Sequence, residues 1–163
     1  MDNSVIGSSV PDVVVRYFAY GSNMNPARVR ARGLEVLSVR GARLVDVRLT
    51  FDKMSRDQIG VGHAALEFER GSWVEGVLYD LADTTDILKM DRFERTPINY
   101  SRELVQVQSG GTQLVGWTYF ANRAVRRPGL RPNRAYLAHL LAGEPYLSDT
   151  YVRKLRALKC SDD

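Results

Sequence analysis

Two short stretches hold residue types in a pattern that can do chemistry. The first is Tyr17-Phe18-Ala19-Tyr20-Gly21-Ser22-Asn23-Met24. An apolar, aromatic run passes straight into Gly-Ser-Asn, so several backbone N–H groups gather at a sharp turn with no long side chain in front of them. Such a turn can cradle a carboxylate or a developing oxyanion; it can equally be a plain tight turn after a core strand. The second stretch is Asp91-Arg92-Phe93-Glu94. At helical spacing Ile87, Met90, Asp91 and Glu94 share one face, which aims Glu94 along the core-directed side. Burial and the negative end of a helix dipole both raise a carboxyl pKa, as a general base working near neutrality requires. The alternative is a solvated acid paired with Arg92, Arg95 or Arg102. Asp91 reads as a supporting group for the helix or a nearby backbone donor.

Other chemistries lack material. There is no nucleophile elbow, no phosphate-binding glycine loop and no dinucleotide fingerprint. One cysteine, Cys160, and two histidines, His63 and His139, exclude a disulfide framework and the four-ligand zinc cages built from cysteine and histidine. No metal site is expected. Cys160 has no base near it in sequence, and the two histidines read as structural or surface residues.

The elements that must position these groups follow from periodicity. Residues 1–12 are small and polar and read as a mobile leader, followed by one domain over 13–163. A β-branched and aromatic strand begins at Val13. The stretch from Arg43 to Asp52 alternates at period two, with Val45, Val47, Leu49 and Phe51 on the buried face. Further strands are expected at 62–69, 73–80, 102–108 and 114–121, and a short helix or irregular turn at 24–33. Helices are expected from Asp83-Thr84-Thr85-Asp86 to Glu94, over 132–143 and over 148–158. Strands in series with helices gathered late predict an α+β fold: a small, mostly antiparallel or mixed sheet curled into a barrel, with flanking helices.

The 163 residues carry 23 Lys+Arg, 19 Asp+Glu and a net charge of +4, and 19 of the cations are arginine. Arginine suits forked contacts with carboxylates and phosphates. Arg123, Arg126, Arg127, Arg131 and Arg134 near Pro128-Gly129 raise a nucleic-acid reading. The blander one, a solvated loop beside an acidic partner or substrate route, is preferred. No apolar run reaches the ~18 residues of a spanning helix, and no secretory signal opens the chain, so the expected compartment is the cytoplasm.

Taken together, the two stretches resemble the γ-glutamylcyclotransferase family, which includes γ-glutamylamine cyclotransferases and plant avirulence-induced proteins. The segment from Tyr17 to Met24 matches that family's signature almost letter for letter. The likeness continues through Gly62-His63-Ala64-Ala65, Trp73-Val74-Glu75-Gly76-Val77-Leu78-Tyr79, the helix ending at Glu94, then Tyr100, Tyr119, Tyr136 and the region of Leu155. It spans about residues 15–158. The resemblance implies a closed or nearly closed barrel with a cavity at one end. It assigns the binding of a small γ-glutamyl substrate to Tyr17, Phe18, Ala19, Tyr20, Gly21 and Ser22, with Asn23 adjoining, and a further contact to Tyr136. It makes Glu94 the catalytic acid/base. The implied reaction releases 5-oxoproline and a free amine without any cofactor. A monomer or homodimer fits the family. One departure stands out: Arg95-Thr96-Pro97 follows Glu94 where the family commonly has Gly, so Arg95 narrows the cavity mouth or attracts an anionic part of the substrate. The same chemistry could deprotect a γ-glutamylated biosynthetic intermediate. A different class of function is binding alone, of a small anion or nucleic acid, on the same fold.

Overall fold

A computed structural model describes residues 14–163; the expected leader, 1–12, lies outside the described residues. Five strands close into a barrel in the order β1-β3-β2-β4-β5. They are β1 (Val15–Ala19), β2 (Val36–Met54), β3 (Gly62–Leu81), β4 (Tyr100–Ser109) and β5 (Thr112–Ala121). Neighbours pair antiparallel, except that β1 meets β5 in parallel at Tyr17 and Trp117, which closes the ring. Helices α1 (Pro26–Ala31), α2 (Asp86–Glu94), α3 (Arg134–Leu141) and α4 (Asp149–Arg156) complete the fold. The mixed barrel with flanking helices is the architecture expected from the sequence.

Alternation along the strands sorts two apolar clusters. Phe18, Leu44, Val47, Leu66, Leu78 and Val107, with Leu114 and Phe120 of β5, come from all five strands and fill the barrel interior. Tyr17, Val77, Tyr79 and Tyr119 point the other way. They meet Ile87 and Met90 of α2, Leu137 and Leu140 of α3, and Leu155 of α4. The helices thus cover one outer face of the barrel with the stripe that their 3.6 period supplies.

Two sequence expectations change here. Residues 62–69 and 73–80 form one continuous strand, and the predicted turn at Arg70-Gly71-Ser72 is a bulge within a pairing that resumes beyond it. Val45 pairs with Trp73 and Val47 with Phe68, leaving Asp46 alone opposite four residues. Asp46 adopts a left-handed backbone with φ of 59°, and its carboxylate accepts from the Gly71 N–H at 2.9 Å. The unequal count resets the side-chain phase. Leu44 and Val47 therefore both point inward, and Val45, expected on the buried face, is 43% exposed.

Helix α2 begins at Asp86. Asp83 organises the preceding turn by accepting from the Thr85 N–H and hydroxyl, both at 2.7 Å. At its other end the helix closes by a Schellman arrangement. Arg95 is left-handed with φ of 52°, its N–H bonds the Arg92 carbonyl at 3.3 Å, and the Thr96 N–H bonds the Asp91 carbonyl at 3.0 Å. Glu94 is therefore the last helical residue, fixed at the point where the chain turns away.

Candidate active site

Beyond β1 the chain leaves the barrel wall at Tyr20 and makes a single 3₁₀ turn over Ser22–Met24. That turn packs against α3 and beside the end of α2. Between them opens a cavity of about 430 Å³ whose wall includes Tyr17, Tyr20, Gly21, Ser22, Glu94 and Tyr136. Gly21 is there because the walls are close. A Cβ at this position would lie 3.0 Å from the Ala64 Cβ and 3.1 Å from the Tyr136 hydroxyl. Tyr136 anchors from α3: its hydroxyl accepts from the Ala64 N–H at 2.9 Å and lies against Ser22, while its ring stacks on His63 at 4.5 Å. Burial pushes its pKa up to about 12, so it stays a neutral hydroxyl.

Glu94 faces this turn with its side chain 18% exposed. Its partners are neither Arg92 nor Arg95 nor Arg102. Asn23 Nδ2 donates to Glu94 Oε1 at 3.0 Å and to the Tyr17 hydroxyl at 2.9 Å. Arg32 Nη1 donates to Asn23 Oδ1 at 2.9 Å, which fixes which end of the amide faces the carboxylate, and lies 4.0 Å from Glu94. Burial raises the Glu94 pKa above its ordinary value; Arg32, Lys53, Arg28 and the Asn23 bond pull it back without cancelling the shift. Arg102 instead forms an ion pair with Asp91 at 3.2 Å, and Asp91 accepts from the Tyr119 hydroxyl at 2.7 Å. Asp91 thereby ties α2 to β4 and β5.

The signature splits along the strand. Tyr17, Tyr20, Gly21, Ser22 and Asn23 reach the cavity, whereas Phe18 and Ala19 do not border it. Phe18 is fully buried inside the barrel, and its carbonyl accepts from the Thr118 hydroxyl at 2.9 Å. Ala19 packs on the helix-facing side. Asn23, 3% exposed, also offers its carbonyl to the Tyr79 hydroxyl at 2.6 Å. Its side chain is committed to the carboxylate and its neighbours.

Several wall residues lay outside the sequence reading or were placed elsewhere by it. Lys53, Arg28, Arg32, Tyr100 and Tyr119 all border the cavity. So do His63 and His139, expected to be structural or surface groups. Burial, with Lys53 and Arg28 nearby, lowers the His63 pKa to about 4, so its ring serves Tyr136 as a neutral platform. For Lys53 a signal did exist in the sequence: it continues the period-two run of Val47, Leu49 and Phe51, an odd place for an ammonium. Arg32 carried none, because three consecutive arginines at alternate positions look like solvent-facing charge.

The arginine-rich segment is partly engaged within the fold. Arg126 forks onto Asp52 at 3.0 and 2.8 Å, and Arg134 pairs with Asp163. Among the described residues one acidic group, Cys160 with Asp162 and Asp163, is close-set enough for a metal. Its carboxylates already accept from Arg134 and from the Cys160 N–H at 2.7 Å, so they organise the C-terminal turn. Among the same residues no helix is long and apolar enough to cross a membrane.

Comparison with known proteins decides the family. The model of the family described as "Gamma-glutamyl cyclotransferase, AIG2-like" matches residues 17–139, three-quarters of the chain. The chain belongs to this family. A solved gamma-glutamyl cyclotransferase is similar in fold to this family member: 23% identity over 93% of this chain and 91% of that one, with a TM-score of 0.78. An uncharacterized human protein aligns at 24% identity over 92% and 90%, with a TM-score of 0.79. A yeast gamma-glutamyl cyclotransferase specific to glutathione aligns at 14% over 87% and 93%, with a TM-score of 0.62. No curated protein matches. At such identities the structural likenesses concern the fold of the cyclotransferase family member, and its chemistry rests on the cavity.

Proposed function

We infer that the protein is a γ-glutamylcyclotransferase, which closes the γ-glutamyl group of an amide into 5-oxoproline and frees the amine. The observation that carries this reading is the Glu94 carboxylate, largely shielded from solvent and with a raised pKa, held by Asn23 across from the Gly21-Ser22 turn. In a γ-glutamyl compound the nucleophile is the substrate's own α-amine, mostly protonated at neutral pH. Glu94 takes that proton. The nitrogen lone pair then forms a bond to the γ-carbonyl carbon, and the carbonyl electrons move onto oxygen. When the carbonyl re-forms, the bond to the departing nitrogen breaks, Glu94 returns the proton to it, and the ring nitrogen gives up its second proton to the freed amine, which departs as an ammonium. One carboxyl group serves as base and then as acid, and an upward shift from the ordinary carboxylate pKa suits both steps.

The wall supplies the rest. Backbone N–H groups of the Gly21-Ser22 turn are suited to the α-carboxylate or the oxyanion. The close-set tyrosines select the folded substrate conformer, and for an intramolecular step that selection is most of what catalysis requires. The test is incubation of the protein with γ-glutamyl compounds and detection of 5-oxoproline and the freed amine. Glu94→Gln is expected to keep substrate binding and lose at least ~100-fold in turnover. Undiminished 5-oxoproline release from that variant would overturn the assignment.

A further inference from the structure

The two carboxylate oxygens of Glu94 have different surroundings. Oε1 accepts from Asn23 Nδ2 at 3.0 Å and lies 4.0 Å from Arg32 Nη1. Oε2 has no hydrogen-bond partner among the described residues, yet it is not sealed from solvent, and the residue borders the cavity. What commits Oε1 is the direction of one amide. Asn23 has a donor end and an acceptor end of nearly the same shape. Turned the other way, its Oδ1 would face Glu94. That contact forms only with a protonated carboxyl, which has no room for the substrate's proton.

Arg32 selects the direction. A guanidinium only donates, and Nη1 donates to Asn23 Oδ1 at 2.9 Å. The guanidinium is itself seated: it lies over the Phe93 ring at 4.6 Å, and Nη1 is 3.7 Å from Met90 Sδ. Met90, Phe93 and Glu94 share one side of α2, so its last turn carries both the base and the seat of the group that orients it. This gives a task to Phe93, an aromatic residue left 50% exposed. No other group near Glu94 makes the choice. Arg28 of α1 and Lys53 of β2 favour the ionised carboxyl by their charge, with no hydrogen bond to Asn23. Burial keeps Tyr17, Tyr20, Tyr100, Tyr119 and Tyr136 neutral. The Tyr17 hydroxyl meets Asn23 at 2.9 Å, but a hydroxyl donates or accepts equally well.

We propose that Arg32 is a positioning residue acting through Asn23: it commits Oε1 of Glu94, so that Oε2 takes the proton from the substrate's α-ammonium and passes it to the departing nitrogen. This rests on the cyclotransferase reading and concerns how the base is aimed. The test follows 5-oxoproline release against pH, from γ-glutamylalanine or whichever γ-glutamyl compound the unaltered protein turns over fastest. On the plateau above the acid limb Glu94 is ionised in every variant, so a lost charge alone leaves the rate there unchanged, whereas a misdirected amide lowers it. Arg32→Met should lower the plateau kcat about 10-fold, the worth of one hydrogen bond, with KM changed less than about 2-fold. Arg32→Lys still only donates and should return kcat to within about 3-fold of the unaltered protein. Added to Asn23→Ala, Arg32→Met should change the plateau by less than about 2-fold, because the two act in one chain. A plateau untouched by Arg32→Met while the acid limb moves to higher pH overturns the proposal, since Arg32 would then act by charge alone. So does the same loss with and without Asn23. Should Arg32→Met not fold, Phe93→Leu at its half-exposed position decides: a fall of about 3-fold in plateau kcat supports the seat, and an unchanged plateau overturns it. Any of these failures leaves 5-oxoproline release by the unaltered protein intact. Absence of that release from every γ-glutamyl compound would refute the cyclotransferase reading and this role with it.

Discussion

At the scale of single residues, Glu94 is held by opposing influences whose balance has measurable consequences. Burial disfavours its charged form, while the cations and Asn23 favour it, and the net shift is upward. A carboxyl whose folded pKa exceeds its unfolded one supports the fold below the unfolded pKa and loses that support as pH rises through the folded value. Glu94→Gln, which cannot ionise, is therefore expected to melt at or above the temperature of the unaltered protein at pH 7–8. The gap should close below about pH 4.5, readable by thermal denaturation across pH. A second consequence concerns Asn23, whose bond lowers the Glu94 pKa. Asn23→Ala should raise that pKa further, so the acid limb of the kcat/KM profile should move to higher pH. An acid limb that stays in place would remove Asn23 from the role of positioning the base. Tyr136→Phe leaves the Ala64 N–H without its acceptor. A loss of ~1–3 kcal/mol in denaturant unfolding is expected, together with weaker substrate binding.

At the scale of elements, the two ends of secondary structure that matter are where backbone conformation departs from the regular. The Arg95 position after α2 is left-handed, a conformation that costs a side chain-bearing residue ~1–2 kcal/mol and glycine almost nothing. That is the physical reason a glycine suits the position. Arg95→Gly should leave stability equal or higher by up to ~1 kcal/mol, the gain being trimmed by the greater freedom of glycine in the unfolded chain. Urea unfolding checks this; a clear loss would mean that the Arg95 side chain holds the helix end. The bulge at Asp46 plays the corresponding part in the sheet. By resetting the phase between Leu44 and Val47, it turns Val47 inward, and a second register shift between Thr50 and Lys53 precedes the cavity end of the strand.

At the scale of the whole molecule, the barrel and the site are built from the same few residues facing opposite ways. Phe18 fills the interior while its neighbours Tyr17 and Tyr20 border the cavity. Phe18→Ala should therefore cost ~3–5 kcal/mol and, in a barrel of this size, threaten the fold as a whole. Unfolding by denaturant measures it; a loss below ~1 kcal/mol would contradict full burial. The charge of +4 also acquires a location. Cations cluster at the cavity, while Arg126 and Arg134 are engaged by Asp52 and Asp163. An excess of positive charge around a concave site steers small anions more effectively than it marks a nucleic-acid surface.

The sequence by itself determined the strand periodicity, the helix stripes and the junction at Tyr20-Gly21-Ser22, because period and turn chemistry are local properties. It also placed Glu94 on a core-directed helical face. Tertiary structure alone decided what met there. Asn23 reaches Glu94 across 71 residues and Arg32 reaches back to Asn23 from the far end of α1; neither pairing has a local signature. Phe18 and Ala19 could not be told from the cavity-lining members of their motif until the barrel fixed which side of β1 was inside. Lys53 was visible as an ammonium in a period-two apolar run. Where that run led depended on the register shifts of β2 and on barrel closure, which bring the end of the strand to the same cavity as Glu94.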